Sequence, residues 1–421
     1  MGEEPWHDSV TTPERPRTPL GKPFTTAIPR IPKNVEAATV PRPVPQAEEG
    51  KRVHLLGYDP KGYFIAHCLA SSEYLDPVKL LVHRRAIMNS WEWEGKRLLK
   101  CEGNRIIPSM RAEAEWVGRG QVGPNTEHIE QLIVTLPCCQ TLPAITNISH
   151  RIDNRTTICL VQDGLGMMEE LNATLFQDST RRPTYILGHS TASIGYYKKA
   201  FFSTMLRKPG KLFLTALERG TSSIIKYHPP VERRSNAVTF MRTLISTDGL
   251  RAGGYSLENY LMRKLPALVF SSIVEPLAVA LDSTYDQVLR NEHAIVLADE
   301  LLEEIFNVIW ALPELTNSSK VIEYCGMDTL RKHTVTRLIE KGPSQSQTLS
   351  AVRAGRMVDI DYTNGYFVRR GRELGIKTPQ NEFVIGAVKA RVEERRKQLA
   401  GFVPFEDLAA TKTSPTSDEE A

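Results

Sequence analysis

A short apolar run that stops on a glycine, near the start of the chain, could support phosphate chemistry. Val53 to Leu56 precede Gly57, and helix-compatible residues run from Tyr63 to Ala70, which predicts a strand, a tight turn and a helix. Such a turn places helix amides against a pyrophosphate when glycines let the backbone approach closely. Gly57 and Gly62 are two such glycines. The segment therefore predicts the opening of a dinucleotide-binding unit.

Asp59 stands where a dinucleotide-binding turn needs its second glycine. A carboxylate there adds a side chain and a negative charge facing two phosphates, in a region of low effective permittivity. We therefore expect cofactor binding to be weak or absent. Gly57 and Gly62 are also needed simply to make the turn, so their presence fits either a retained structure or a cofactor site.

A basic triplet, His83-Arg84-Arg85, follows the second apolar run. NADP enzymes place a basic residue at this point for the 2′-phosphate, and NAD enzymes place an acid there. Arg84 thus favours NADP(H) for any cofactor. A solvated basic loop is the alternative interpretation, because arginines are common on surfaces.

The elements that position these residues follow from apolar periodicity. Further buried strands are predicted at 78–82, 132–136, 157–161 and 185–188, and long helices at 257–281, 288–312 and 381–399. The pattern predicts an α/β fold with a Rossmann-like, doubly wound parallel sheet, followed by an all-α domain. We place these domains at 51–248 and 249–402, between a disordered proline-rich arm (1–50) and a disordered acidic tail (403–421).

Composition excludes several classes of protein. The charge of +4, from 53 basic and 49 acidic residues, is too small to indicate a nucleic-acid partner. No run approaches the roughly 20 apolar residues of a membrane span. The first five residues include two glutamates and a proline and lack the apolar run of a secretory signal, so we do not expect secretion. The six cysteines lack C-x-x-C spacing, so we expect no metal site and interpret them as buried thiols, with Cys138 and Cys139 at the end of a buried strand. A cytoplasmic or mitochondrial location fits, the latter because basic residues lie among threonines near the start.

Four ordered blocks of sequence resemble the ketopantoate reductase family, whose members reduce 2-dehydropantoate to pantoate with NADPH. These are the turn from Gly57 to Gly62, the block Gln162 to Leu171, the helix Lys264 to Leu277, and the block Asp359 to Asn381. The match spans roughly Val53 to Lys397. It implies that the all-α domain is the family's carboxy-terminal domain, similar to that of 6-phosphogluconate dehydrogenase.

The resemblance also locates the family's catalytic groups on this sequence. The general-acid lysine of the family falls on Ala267, and its neighbouring asparagine on Ser271. The substrate-binding glutamate is represented by Asp359, one methylene shorter, so Asp359 and Ser271 are the candidate catalytic residues. Lys264, three positions before the lysine site, is interpreted as a solvated or structural residue.

Two further family positions lie near the cofactor, and a third belongs to the substrate side. A lysine in a V-T-x-K pattern is replaced by Pro137, which offers no ammonium and no amide donor. An asparagine that contacts the cofactor is replaced by Asp163. The family serine aligns with Gln347, although Ser346 is adjacent.

These replacements lead to three hypotheses of different classes. The first is a degenerate reductase retained as a binding or regulatory protein, with a small 2-oxo acid or a protein as partner and a homodimer left open. The second is an active NADPH-dependent 2-dehydropantoate or 2-oxo acid reductase in which Lys264, Arg84 or a residue outside these motifs substitutes for the lost lysine. The third is a structural subunit of a larger assembly.

Overall fold

A computed structural model describes residues 52–118, 125–197, 200–217, 236–315 and 320–401. The predicted disordered arm and the acidic tail lie outside the described residues. In the described residues the strands are, in chain order, β1 (Val53–Leu56), β2 (Val78–Val82), β3 (Leu98–Glu102), β4 (Arg105–Ser109), β5 (Ala112–Trp116), β6 (Gln131–Val134), β7 (Thr157–Val161), β8 (Thr184–Ser190), β9 (Ser193–Gly195), β10 (Ser203–Lys208), β11 (Leu212–Ala216) and β12 (Ala252–Gly254).

The helices of the described residues are α1 (Pro60–Ala70), α2 (Arg85–Trp93), α3 (Cys138–Thr146), α4 (Met167–Thr174), α5 (Asn236–Ser246), α6 (Leu257–Ala280), α7 (Tyr285–Arg290), α8 (Glu292–Trp310), α9 (Val321–Cys325), α10 (Met327–Lys341), α11 (Gln347–Arg353), α12 (Asn364–Glu373) and α13 (Pro379–Ala400). Short 3₁₀ segments cover Ser149–Arg151 and Asp359–Tyr362. None of the helices in this part of the chain is both long and apolar enough to cross a bilayer.

The larger sheet has the strand order β12-β11-β8-β7-β6-β1-β2-β5. Its central strands are parallel and entirely buried, as expected for a sheet covered by helices on both faces. The predicted Rossmann-like sheet is thus confirmed, with one difference: β11 runs antiparallel to β8 at one side. The chain moves from β1 outward to β2 and then back to β6 on the other side. The strand order therefore switches direction between β1 and β6, where open α/β sheets bind ligands.

A second sheet, with the order β4-β3-β10-β9, covers the face of α1 that points away from the large sheet. Residues Gly62–Ala70 of α1 are all buried as a result. A helix that is apolar all round requires such enclosure. The sequence analysis did not predict this sheet.

The helical domain is organised around α6, which packs against α7, α8, α9, α10, α11 and α13. The predicted helices at 257–281 and 381–399 are confirmed as α6 and α13, and the one at 288–312 contains α8 and the end of α7. The helix α6 also contacts β8 and β11, which joins the two domains. Within the domain, Asn364 is fully buried and donates to the Ser272 carbonyl (2.6 Å) and to Asn381 Oδ1 (3.0 Å).

A buried ion pair fixes α12 to the segment after α8, and it provides a test of the packing. Arg370 pairs with Glu314 at 2.9 Å, and their side chains are 6% and 3% exposed. Substituting Arg370→Met leaves the Glu314 carboxylate buried without its partner, so we expect a loss of about 3–5 kcal/mol in the free energy of unfolding. Urea denaturation measures the loss. The matched change Arg372→Met breaks an exposed pair with Glu382 and should cost less than about 1 kcal/mol. Equal losses in the two variants would contradict the burial of the Arg370–Glu314 ion pair.

Candidate active-site cleft

The glycine-rich turn joins β1 to α1 and carries its own anion. Asp59 is the N-cap of α1, with Pro60 at the first helical position, and its Oδ1 accepts from the Gly62 amide at 3.0 Å. The Thr135 hydroxyl, directly after β6, donates to the same oxygen at 2.5 Å. A Cβ on Gly57 would lie 2.0 Å from Thr135 Oγ1, so only glycine fits beside this threonine. Asp59 and Thr135 thus occupy the interior of the turn.

This arrangement changes the interpretation of Asp59. The sequence analysis placed its carboxylate opposite a pyrophosphate, whereas in the structure it binds a helix amide that a phosphate would otherwise take. Burial raises the pKa of Asp59, while Lys61 and the hydroxyl of Thr135 oppose that rise. The Asp59 carboxylate therefore takes up the Gly62 amide and the Thr135 hydroxyl inside the turn.

The Tyr58 side chain lies at the end of β2, the region where the ribose binds in dinucleotide-binding folds. The Tyr58 hydroxyl donates to the Leu81 carbonyl at 2.8 Å and lies 2.7 Å from His83 Nδ1. Arg84 directly precedes α2 and is exposed beside this point, in the place predicted for a 2′-phosphate contact. The neighbouring Arg85 guanidinium stacks 5.3 Å from the Trp116 ring. Two arginines and the Tyr58–His83 pair therefore lie together at the end of β2.

Three charged side chains meet at the carboxyl end of β7. The Asp163 carboxylate is 69% exposed and pairs with the Lys61 ammonium at 3.1 Å. Lys61 holds the pKa of Asp163 well below its usual range, with a further contribution from Lys264. The carboxylate that replaces the family asparagine is therefore paired with a cation.

Lys264 is buried, so of the two roles expected for it, solvated or structural, the structure agrees with the structural one. It is 1% exposed, and its Nζ donates to the Gln162 and Asp163 carbonyls, both at 2.7 Å. These bonds connect α6 of the helical domain to the loop after β7. Burial lowers the pKa of Lys264 to about 8, although the Asp163 carboxylate opposes the shift. The cleft therefore contains an ammonium that can lose its proton close to neutral pH.

Asp359 closes the cleft from the helical domain. Its Oδ2 and Oδ1 accept from the Cys138 and Cys139 amides at 3.0 and 2.9 Å, which caps the start of α3. Burial raises the pKa of Asp359, and these amides oppose the rise. Cys138 and Cys139 were expected at the end of a strand, but β6 already ends at Val134 and the cysteines begin a helix. The loop after β6 turns early because Pro137 cannot donate to a neighbouring strand.

The segment that follows Asp359 brings the two domains into direct contact. The Tyr362 carbonyl accepts from the Leu165 amide at 2.9 Å, and the Tyr362 hydroxyl donates to Glu170 at 2.5 Å. A Cβ on Gly164 would lie 2.6 Å from Tyr362 Cβ, so glycine is required for this close approach. Residues 359–365, which form a 3₁₀ turn and the start of α12, therefore pack the two domains together.

Family models match both parts of the chain. "Ketopantoate reductase PanE/ApbA" matches residues 53–219, and "Ketopantoate reductase PanE/ApbA C terminal" matches residues 259–392. The chain belongs to the ketopantoate reductase family. A probable 2-dehydropantoate 2-reductase of Schizosaccharomyces pombe is 21% identical over 347 residues, which cover 81% of this chain and 96% of that protein. The 2-dehydropantoate 2-reductase of Aquifex aeolicus is 24% identical over 271 residues, covering 62% and 76% of the two chains.

Solved structures share the ketopantoate reductase fold with this chain. The probable 2-dehydropantoate 2-reductase of Bacillus subtilis has a TM-score of 0.56 at 15% identity and covers 81% of this chain and 99% of its own. A ternary complex of D-mandelate dehydrogenase with NADH and anilino(oxo)acetate has a TM-score of 0.61 at 15% identity, over 82% and 99% of the two chains. At these identities the likeness establishes the fold, which in such neighbours binds a nicotinamide cofactor.

The two positions that the resemblance assigns to the family's lysine and asparagine lie on one face of α6, together with Lys264. Lys264, Ala267 and Ser271 are spaced three and four residues apart and so share that face. The Ser271 hydroxyl donates to the Ala267 carbonyl at 3.2 Å. Ser346 is buried and donates to Glu275, so it belongs to the interior of the helical domain. Of the predicted site residues, the structure thus brings Asp163 close to Lys264, and it engages Asp359 in capping α3.

Lys61 and Thr135 are site residues that the sequence analysis missed. Both could have been found, since Lys61 lies inside the glycine-rich turn and Thr135 follows the strand that adjoins β1 at the switch point. Their pairing with Asp163 and Asp59 depends on the strand order, which periodicity alone does not give.

The lowered pKa of Lys264 predicts a pH dependence of stability. Between about 8 and the ordinary value of 10.5, the unfolded chain holds this proton and the folded chain does not, so the contribution of Lys264 to the unfolding free energy rises with pH. The slope is at most about 1.4 kcal/mol per pH unit. The difference in unfolding free energy between the native protein and Lys264→Met, measured by urea denaturation across this range, should change with that sign. A flat difference, as expected for the exposed control Lys332→Met, would refute the burial of a titrating ammonium.

Proposed function

We propose that this ketopantoate reductase family member has lost ordinary reductase activity and is retained as a binding or regulatory protein. The observation that carries the proposal is the filled turn. The Asp59 carboxylate and the Thr135 hydroxyl occupy the place where a pyrophosphate would meet the start of α1. A dinucleotide would have to displace a built-in anion before it could bind there.

The catalytic positions support the same proposal. Ala267 offers no proton to a developing alkoxide, and a positioned donor contributes a factor of about 10²–10⁴ in rate. Asp359 uses both carboxylate oxygens to cap α3, which leaves it poorly placed to bind a substrate hydroxyl. A cavity lined by Gln162, Gly164 and Tyr260 has a volume of only about 20 Å³, room for roughly one water molecule.

Any cofactor would be NADP(H), bound weakly or not at all. Exposed Arg84 beside the end of β2 supports the preference for a 2′-phosphate, and the occupied turn supports the low affinity. A homodimer is part of the proposal, since a ketopantoate reductase of Staphylococcus aureus with the same fold is described as dimeric. A cytoplasmic or mitochondrial site of action rests on the composition of the sequence alone.

An active 2-oxo acid reductase is the second candidate, and Lys264 is the observation that favours it. Its ammonium lies at the end of β7 with a pKa lowered to about 8 by burial, and two of its three donors are assigned to carbonyls. In that case Lys264 Nζ would donate a proton to the alkoxide oxygen formed on reduction, from one turn earlier on α6 than in the family pattern. Hydride would come from the nicotinamide cofactor that this fold binds in other members.

Calorimetric titration with NADPH tests the filled turn. We expect weak or undetectable binding by the native protein and tighter binding by Asp59→Gly, because the variant removes both the competing carboxylate and its charge. Glycine is tolerated at a helix N-cap at a cost of a few tenths of a kcal/mol, so the variant should stay folded. The matched change Asp59→Asn keeps the side chain but removes the charge and should improve binding less. Low-micromolar affinity in the native protein would overturn the argument.

Oxidation of NADPH with 2-dehydropantoate tests the loss of activity. The native protein should show no measurable turnover, and the double substitution Asp59→Gly with Ala267→Lys should introduce some by restoring both an open turn and a cation at the family position. Turnover above about 1 per second in the native protein would establish the active-reductase alternative instead. In that event Lys264→Met should abolish the rate, whereas Lys332→Met should not.

A further inference from the structure

A stripe of basic side chains runs along one face of α10. His333, Arg337 and Lys341 are each four residues apart, so they lie above one another on the helix surface. All three are partly buried. We call this set the α10 basic stripe. The family resemblance did not involve any of these positions.

Aromatic rings of α6 and α7 form the floor beneath the stripe. The Arg337 Cζ atom lies 4.5 Å from the centroid of Phe270, and Lys341 Nζ lies 5.8 Å from the same centroid and 4.8 Å from that of Tyr285. Phe270 and Tyr285 are themselves buried. The rings thus hold two cations close to one point and exclude water from one side of each.

Within the described residues, neither Arg337 nor Lys341 has a carboxylate in ion-pair range. Arg331 on the same helix, in contrast, pairs with Asp299 at 2.9 Å. The nearby acid Glu275 already accepts from the Tyr285 hydroxyl (2.6 Å), from the Thr348 amide (3.2 Å) and from the Ser346 hydroxyl. Two like charges four residues apart destabilise a helix unless an anion offsets them.

The charge of Arg337 acts on groups near the carboxyl ends of β7 and β8. Arg337 interacts electrostatically with Asp163 after β7, and its charge is among the causes that lower the pKa of His189 on β8. Burial lowers the pKa of Arg337 and of Lys341, which indicates that desolvation is not balanced by their present neighbours. Since neither cation has a carboxylate in ion-pair range among the described residues, both remain available to an anionic ligand.

We propose that Arg337 and Lys341, held over Phe270 and Tyr285, form a binding site for a small dianion, either a phosphate or a dicarboxylate. This names a ligand class for the binding role proposed above and rests on that proposal. Two half-buried cations match two negative charges, and Arg337 can bind an oxyanion through two parallel N–H donors. A polyanion such as nucleic acid would need a wider row of exposed cations than this recessed pair provides.

Calorimetric titration of the full-length protein without NADPH tests the site. The probes are inorganic phosphate, malonate as a dicarboxylate and acetate as a monoanion, all at one ionic strength fixed with sodium chloride. We expect saturable binding of phosphate or malonate with a Kd of about 1 mM or tighter, and acetate weaker by about tenfold or more. The dianion that binds more tightly shows whether the site prefers a phosphate or a dicarboxylate.

Variants separate this site from the general charge of the helix. Arg337→Gln and Lys341→Gln should each weaken dianion binding by about tenfold, as expected for the loss of one charged hydrogen bond. Lys332→Gln removes the same charge from an exposed position on α10 and should leave the affinity unchanged. If Arg337→Gln does not fold, Arg337→Lys and Lys341→Gln carry the test, since the lysine variant keeps the charge and should bind partially.

Two results would overturn the proposal: no saturable binding of either dianion by the native protein, or equal weakening by Lys332→Gln. The outcome is separable from that of the proposed function, because the probes are titrated without a cofactor. An active reductase would end the regulatory proposal while leaving the anion titration unchanged.

Discussion

The unpaired amides at the start of α1 impose the constraint on which the rest of the cleft depends. The first turn of any helix carries backbone N–H groups without internal partners, and they require an acceptor. In nucleotide-binding folds a phosphate supplies it. Here Asp59 supplies it from within the chain and takes a second bond from Thr135 on the adjoining strand loop. The Gly62 amide at the start of α1 is thereby hydrogen-bonded within the chain itself.

The neighbouring charges follow from that arrangement. Lys61 lies on the first turn of α1 and reaches Asp163, whose backbone carbonyl accepts in turn from Lys264 of the helical domain. Asp359 and Tyr362 approach the same edge of the sheet and bind the loops after β6 and β7. A connected set of hydrogen bonds therefore joins the start of α1, the loops after β6 and β7, and the helical domain. These contacts hold the helical domain against the carboxyl ends of β6 and β7.

Much of the fold could be predicted from the sequence, because the central strands of the large sheet are buried on both faces and appear as apolar runs. The four-stranded sheet could not be predicted in the same way. Most of β4 is exposed, and β3 pairs with β10 across about a hundred residues of sequence. Periodicity carries no information about such distant pairing.

The candidate site was predicted in position more than in role. Asp59 does lie in the turn, but its role as an N-cap was not predicted. The signal for that role was the next residue, Pro60, because proline favours the first position of a helix. Local spacing could not show whether Lys264 is solvated or structural, because the carbonyls that accept from its ammonium lie in a loop about a hundred residues earlier. Roles that depend on docking between domains lie outside what local spacing can indicate.

The enclosure of α1 by two sheets has a consequence for how the protein could adapt. A surface helix can slide or tilt when a ligand arrives, but α1 is held between the large sheet and the strands β3 and β10. Close packing of that kind transmits strain rather than absorbing it. Any shift of α1 would therefore have to be accommodated by both sheets at once.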